Sequence, residues 1–89
     1  MTKQELKDEL VLISILERLV DDLDERSKAV MLIGRNNAPS GYLEFRKRYN
    51  CTETQARKFA KLNAVRLCAT RDELAQERKT LQARLEKLQ

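Results

Sequence analysis

Residues 2–23 of the chain read TKQELKDELVLISILERLVDDL, and this stretch decides the fold class. Its start, Thr2 to Glu5, matches a capping box, in which a hydroxyl and a carboxylate each bind a backbone amide at a helix N-terminus. Apolar residues then recur at helical spacing around more than half of the circumference, wider than the ~100° stripe of a one-sided surface helix. The pattern predicts a helix over residues 3–33 that packs against two neighbours and ends in a left-handed cap at Gly34.

The rest of the chain is also predicted to be helical. Residues 34–41 contain both glycines and the only proline, and they form the predicted linker. A short helix is expected over 41–49. A second capping box at 52–55 predicts a helix that runs to about residue 88. A third capping-box match at 70–73 has no Gly or Pro beside it, so a continuous or slightly kinked helix is expected there.

A narrow leucine stripe marks residues 67–89, the predicted tail. Its leucines recur every seven residues with mostly polar residues between them, which is typical of a coiled-coil seam. The stripe could dock on the first helix of the same chain or zip against a second copy. The expected fold is therefore all-α: one domain over 1–89 with a long, a short and a long helix, arranged as a hairpin or bundle and dimeric. The predicted dimer or partner interface comprises Leu12, Ile15, Leu19, Leu67, Leu74, Leu81 and Leu88.

Positive charge and aromatic residues are concentrated in the middle of the chain. Residues 34–71 hold nine Lys or Arg against two Glu, together with all four aromatic residues. Residues 1–33 hold five Lys or Arg against eight Asp or Glu, so the net charge of +4 is segregated. A segregated basic segment produces a field that favours polyanions such as nucleic acids.

Residues 42–66 resemble the general helix-turn-helix pattern. A short helix with Leu43 and Phe45 directed inward precedes a turn at Asn50, where the motif needs a residue that tolerates the left-handed conformation. A small buried residue is expected six positions later, at Ala56. The resemblance implies a DNA-binding regulatory protein whose second helix enters the major groove. The predicted nucleic-acid-binding residues are Arg46, Lys47, Arg48, Thr54, Gln55, Arg57, Lys58, Lys61 and Arg66.

Other interpretations of the same residues stay open. The cations could be a solvated helix face, or they could complement the acidic residues of 21–25 in an antiparallel hairpin. The aromatic residues could form a core or stack on unpaired bases. The chain could be a helical adaptor or an inhibitor that acts by protein contact, including a phage protein that blocks a host enzyme. The sequence does not separate DNA from RNA.

Catalysis, cofactors and small-molecule substrates are not expected. The chain has no histidine, which excludes Ser–His and Cys–His nucleophiles. Cys51 and Cys68 alone cannot complete a tetrahedral zinc site, and they are expected to be free thiols in a reducing compartment. The acidic N-terminal region does not resemble a signal peptide, and the apolar run 10–16 is too short to span a bilayer. We therefore expect a cytoplasmic protein that is not an enzyme.

Overall fold

The computed structural model describes residues 1–34 and 39–88, with residues 39–41 described by their backbone alone. Within these residues six helices follow one another, and the predicted all-α class is confirmed. Residues 35–38 of the predicted linker lie outside the described residues. The helices are α1 (Lys3–Leu19), α2 (Leu23–Gly34), α3 (Pro39–Tyr49), α4 (Glu53–Ala60), α5 (Ala64–Leu67) and α6 (Arg71–Lys87).

The first 34 residues form two helices where the sequence predicted one. The predicted capping box is present: Thr2 Oγ1 accepts the Glu5 N–H at 3.1 Å, and Glu5 Oε1 accepts the Thr2 N–H at 3.2 Å. A new helix starts after Asp22, whose Oδ1 accepts the N–H of Glu25 at 2.9 Å. Aspartate is among the strongest N-cap residues, and this local bond outweighs the helix propensity around it. The prediction of one helix over 3–33 is therefore wrong.

The end of α2 also differs from the prediction. Gly34 is the last residue of the helix, and its φ is not positive. The predicted left-handed cap at this glycine is therefore wrong.

The second half of the chain is divided by two further N-caps. Asn63 Oδ1 accepts the N–H of Arg66 at 2.9 Å and starts α5. Thr70 Oγ1 accepts the N–H of Glu73 at 3.1 Å and starts α6. Cap residues satisfy the free amides of a new helix start, so a helix can be interrupted without Gly or Pro. The single helix predicted over 52–88 is therefore wrong, although its third capping box is real.

α6 packs antiparallel on α1. Arg71, at the start of α6, lies beside Asp21, just after α1. Seven residues further along α6, Arg78 Nη2 donates at 2.8 Å to Ser14 Oγ, which lies earlier in the chain than Asp21. The two helices therefore run in opposite directions. The part of the leucine stripe in α6, with Leu74 and Leu81 buried, thus docks on the first helix of its own chain, which was one of the two arrangements expected from the sequence.

The remaining helices complete the core from the other side. α2, α3 and α4 pack against one another, and α4 also packs on α1. Full burial of a Leu, Ile or Phe side chain stabilises the fold by about 1.5–3 kcal/mol, so these contacts dominate its stability. The buried apolar residues are Leu6, Leu12, Ile13, Ile15, Leu16, Leu19, Ala29, Ile33, Phe45, Tyr49, Ala56, Phe59, Ala69, Leu74 and Leu81.

Over the described ranges 1–34 and 39–88, no helix combines the length and the apolar character that crossing a membrane requires.

Candidate nucleic-acid interface

The turn between α3 and α4 has the predicted left-handed residue. Asn50 has φ 49°, and the N–H of Cys51 donates to the Arg46 carbonyl at 3.1 Å. This bond, closed across a left-handed residue, is the Schellman arrangement that ends a helix and reverses the chain. Asparagine tolerates the conformation better than most residues because its short polar side chain fits there. Thr52 then caps α4, with its Oγ1 accepting the Gln55 N–H at 3.2 Å.

The inner face of α3 and α4 is an aromatic core. Phe45 and Ala56 are completely buried. The Phe45 ring lies 4.7 Å from that of Tyr49 and 4.9 Å from that of Phe59, measured between centroids. The burial predicted at Phe45 and Ala56 is confirmed, and these three rings are not accessible for stacking on bases. Leu43, which was also predicted to face inward, is half exposed, so that prediction is wrong.

Gln55 is part of this inner face as well. The side chain is buried, and its Nε2 donates to Asp8 Oδ1 at 2.9 Å. Asp8, also buried, accepts a second bond from Gln4 Nε2 at 3.0 Å. A buried carboxylate needs such partners, because leaving one unpaired is costly. In this fold Gln55 therefore joins α4 to α1, although the sequence predicted it to read base edges.

Three predicted phosphate contacts are held by carboxylates of the same chain. Lys58 Nζ lies 3.1 Å from Glu9 Oε1, and both side chains are partly buried. Arg66 pairs with Glu77 of α6. These ion pairs connect α4 to α1 and α5 to α6. Because the two cations are already paired, less positive charge is available to a ligand than the sequence indicates.

The third pair, between Arg48 and Glu25, is the centre of a larger cluster. Arg48 donates to the two carboxylate oxygens at 2.9 and 2.6 Å, and Tyr49 Oη donates at 2.9 Å. Arg48 is the largest influence on the pKa of Glu25, and together with Tyr49 it lowers that pKa to about 2. Burial and the bond to Glu25 raise the pKa of Tyr49. Arg18 of α1 closes the cluster over the Tyr49 ring, with its Cζ 5.0 Å from the centroid.

Some of the cations pair with the acidic residues of 21–25, as the antiparallel-hairpin interpretation of the sequence predicted. Of the acidic residues in 21–25, Glu25 pairs with Arg48 and Asp21 pairs with Arg71. Asp8, Glu9 and Glu53 were not predicted as partners from the sequence. Asp8 and Glu9 gave no local signal, because only the folded chain brings them to residues almost 50 positions away. Glu53 did have a local signal, its i, i+4 spacing to Arg57.

A different set of side chains faces outward on α4. Thr54 and Arg57 of α4 and Lys61, the C-cap residue of that helix, are exposed and recur at i, i+3 and i+7, which places them on one side of the helix. We call these three residues the outer row. The sequence predicted all three as nucleic-acid contacts.

Arg57 of the outer row contacts two side chains of its own chain. Its Nη2 donates to Glu53 Oε1 at 2.9 Å, and its Cζ lies 5.3 Å from the centroid of the half-buried Tyr42 ring. The bond to Glu53 raises the pKa of Arg57. Lys61 forms no salt bridge among the residues that the structure describes.

The two remaining predicted cations lie on α3. Lys47 is exposed, and it too has no salt bridge within the described part of the chain. Arg46 is half-buried, and its Nε is enclosed without an acceptor from residues 1–34 or 39–88. Lys47 is therefore available to a ligand, whereas part of Arg46 is not.

Most of the side chains predicted for a dimer interface are used inside the chain. Leu12, Ile15, Leu19, Leu74 and Leu81 are buried, and Leu67 is partly buried in α5. Leu88, the C-cap of α6, is exposed. The first helix therefore has little apolar surface left for a second subunit.

Comparison of the chain with protein-family models, with curated proteins and with solved structures found no match. Among the described residues, no three His, Cys, Asp or Glu side chains come together in a group that could hold a metal ion. The cysteines are free thiols, Cys51 partly buried and Cys68 exposed. Functional interpretation therefore depends on the surface of the folded chain.

Proposed function

We propose that the chain binds duplex DNA through the outer row of α4, with Lys47 of α3 as a further phosphate contact. The observation that carries the proposal is the outer row itself. Thr54, Arg57 and Lys61 project from a capped helix that follows a left-handed turn, while the opposite face of that helix is buried. In helix-turn-helix proteins a helix in this position enters the major groove.

The packing around the turn supports the same proposal. α2, α3 and α4 contact one another and form a three-helix unit, and α1 and α6 pack as a pair beside it. A recognition helix must be rigid to hold its side chains in register with base edges. The caps of α4 and the bond from Gln55 to Asp8 provide that rigidity.

Within the outer row the three residues have different expected roles. Arg57 presents a planar guanidinium that can bind the O6 and N7 atoms of guanine, the commonest specific contact in the major groove. Its exposed pair with Glu53 contributes little to stability and can be exchanged for a ligand. Lys61 and Lys47 are point charges suited to phosphates, and Thr54 can bond to either a base or the backbone.

The ion pairs inside the chain reduce the number of phosphate contacts expected with DNA. With Arg48, Lys58 and Arg66 already paired and Arg57 assigned to a base, two cations, Lys47 and Lys61, remain for phosphates. Counterion release then predicts a slope of log affinity against log salt of about −1.8, which is about a 12-fold loss between 50 and 200 mM salt. The affinity should lie in the micromolar range of non-specific binders unless Arg57 makes a specific base contact.

The test is fluorescence anisotropy with a labelled mixed-sequence duplex at two salt concentrations. The variant Arg57→Ala/Lys61→Ala should bind roughly 10- to 100-fold more weakly than the wild type and show a smaller salt slope. The matched control is Lys79→Ala/Arg84→Ala, which removes the same charge from exposed positions of α6. Equal losses for the two double variants would show only a general charge effect and would contradict binding through the outer row.

Contact with another protein is a second candidate function. One observation favours it: α2 exposes Leu23 and Met31 to solvent. A chain that acts only through this apolar surface should not bind the labelled duplex at either salt concentration, so the same titration separates this candidate from DNA binding.

A further inference from the structure

α2 carries an apolar stripe that the fold leaves uncovered. Leu23, Val30 and Met31 are 69%, 38% and 53% exposed. At about 100° per residue, Leu23 and Val30 lie within about 20° of each other on the helix, and Met31 lies about 80° from Leu23. Ser27 falls between them. We call these four residues the α2 stripe.

The stripe lies away from the core-facing side of α2. Ala29 and Ile33 are buried, and this side of the helix meets α1, α3 and α4. A soluble protein gains stability when an exposed apolar stripe is covered, so such a stripe indicates an interaction surface. We propose that two copies of the chain associate through this stripe, with their α2 helices antiparallel across a two-fold axis. The inference goes beyond the proposed function and does not depend on DNA binding.

The charges beside the stripe favour a second copy over an unrelated protein. Asp24 and Lys28 are both exposed on the same flank, about 100° and 140° around the helix from Leu23. Their i, i+4 spacing suits an ion pair within the helix. Among the described residues, however, neither forms a salt bridge. The flank therefore holds one free charge of each sign.

A two-fold axis brings equal flanks of two antiparallel helices together. With the axis at Ser27, Leu23 lies opposite Met31 of the second copy. Asp24 is then offset by two residues, or about 3 Å, from Lys28 of the second copy, and the same pair forms again on the other side of the axis. The small Ser27 side chain lets the helices approach at the lower end of the usual 8–10 Å separation. The surface is thus complementary to itself in both shape and charge.

The length of α2 limits the strength of this dimer. Twelve residues span about 18 Å, so the contact is smaller than the roughly 800 Å² per partner of a standard stable interface. We therefore expect a dissociation constant in the micromolar range, on the order of 10–100 µM.

The test is sedimentation velocity from about 5 to about 500 µM protein, a range that brackets the expected dissociation constant. The weight-average mass of the wild type should rise from that of the 10.4 kDa chain toward twice that value. Leu23→Asp should raise the dissociation constant at least tenfold, because it places a charge at the contact. This change suits the first turn of a helix, so the fold should remain intact. Val65→Asp is the matched control, since Val65 is 80% exposed on α5.

A charge swap tests the register. Asp24→Lys should weaken the dimer by setting two positive charges beside each other, and Asp24→Lys/Lys28→Asp should restore it. Circular dichroism melting verifies that each variant is folded, with Asp72→Lys in the first turn of α6 as the control for the helix dipole. A wild-type chain that stays monomeric at the highest concentration overturns the proposal and leaves the stripe to a different protein. Equal effects of Leu23→Asp and Val65→Asp overturn it as well.

Discussion

The inner and outer faces of the α3–α4 segment both carry basic residues, but these residues have different surroundings. On the inner face, Phe45 and Phe59 are buried, and Lys58, at its edge, is held by Glu9. On the outer row, Arg57 and Lys61 are exposed to solvent. The basic, aromatic character that marks this segment in the sequence is therefore the sum of two parts. One part holds the helices together, and the other is free to bind a ligand.

If the inner face determines the stability of the fold, Phe45→Ala should cause the largest loss in the free energy of unfolding. Truncation of a completely buried phenylalanine lowers the free energy of unfolding by about 3–5 kcal/mol through lost burial and a residual cavity. The measurement is urea denaturation followed by circular dichroism. Leu43→Ala on the same helix is the control, because Leu43 is half exposed and should cost far less. Similar losses for the two variants would contradict the assignment of the inner face.

Asp8→Ala should have the next largest effect. The change leaves the buried Gln55 amide without its acceptor, which costs about 1–3 kcal/mol. For a domain of this size that loss lowers the melting temperature by on the order of 10 °C. Differential scanning calorimetry measures it, with the exposed Asp72→Ala as the control. A melting temperature equal to that of the control would show that the bond between α1 and α4 does not contribute to stability.

Local signals explain what the sequence predicted correctly. The capping boxes at Thr2, Thr52 and Thr70 are formed by residues three positions apart, and all three are present in the structure. The left-handed turn at Asn50 is local in the same way. The new helix starts after Asp22 and Asn63 were missed because helix propensity and capping compete there, and only the tertiary packing decides between them.

The availability of the cations could not be predicted in the same way. Lys58 and Arg57 are adjacent in the sequence, yet Lys58 pairs with Glu9, 49 positions away, and Arg57 pairs with Glu53, four positions away. Which cation stays free depends on which carboxylates the fold brings close. The leucine stripe was ambiguous for the same reason, since Leu74 and Leu81 suit either a second copy or α1.

The Glu25 cluster should make stability depend on pH. The pKa of the Glu25 carboxyl in the folded chain is lowered from an ordinary value of 4.5 to about 2. The contribution of Glu25 to the free energy of unfolding is therefore complete above pH 4.5 and is lost as the pH falls toward 2. The wild type should therefore lose more of its melting temperature between pH 6 and pH 3 than Glu25→Gln does. Glu86→Gln, at an exposed position of α6, should behave like the wild type. An equal loss in the wild type and Glu25→Gln would exclude this cluster as a source of the pH dependence.

The smallest effect is expected from Glu53→Gln. This variant tests whether Arg57 of the outer row contacts DNA. The substitution removes the carboxylate that competes with DNA for Arg57, and the affinity for duplex DNA should rise about twofold. Glu44→Gln changes the net charge equally at an exposed position of α3 and is the control. Anisotropy titrations of both variants compare the two effects. A larger gain in DNA affinity from Glu44→Gln would mean that the ion pair with Glu53 does not limit the binding of Arg57 to DNA.

The most direct test of the difference between the two faces is an NMR titration of ¹⁵N-labelled protein with a duplex DNA. If the account is right, the amide signals of Thr54, Arg57, Lys61 and Lys47 shift and broaden as DNA is added, while those along α6 stay in place. Shifts that instead follow α6 or the α2 stripe, or a spectrum that does not change at low salt, would contradict the account.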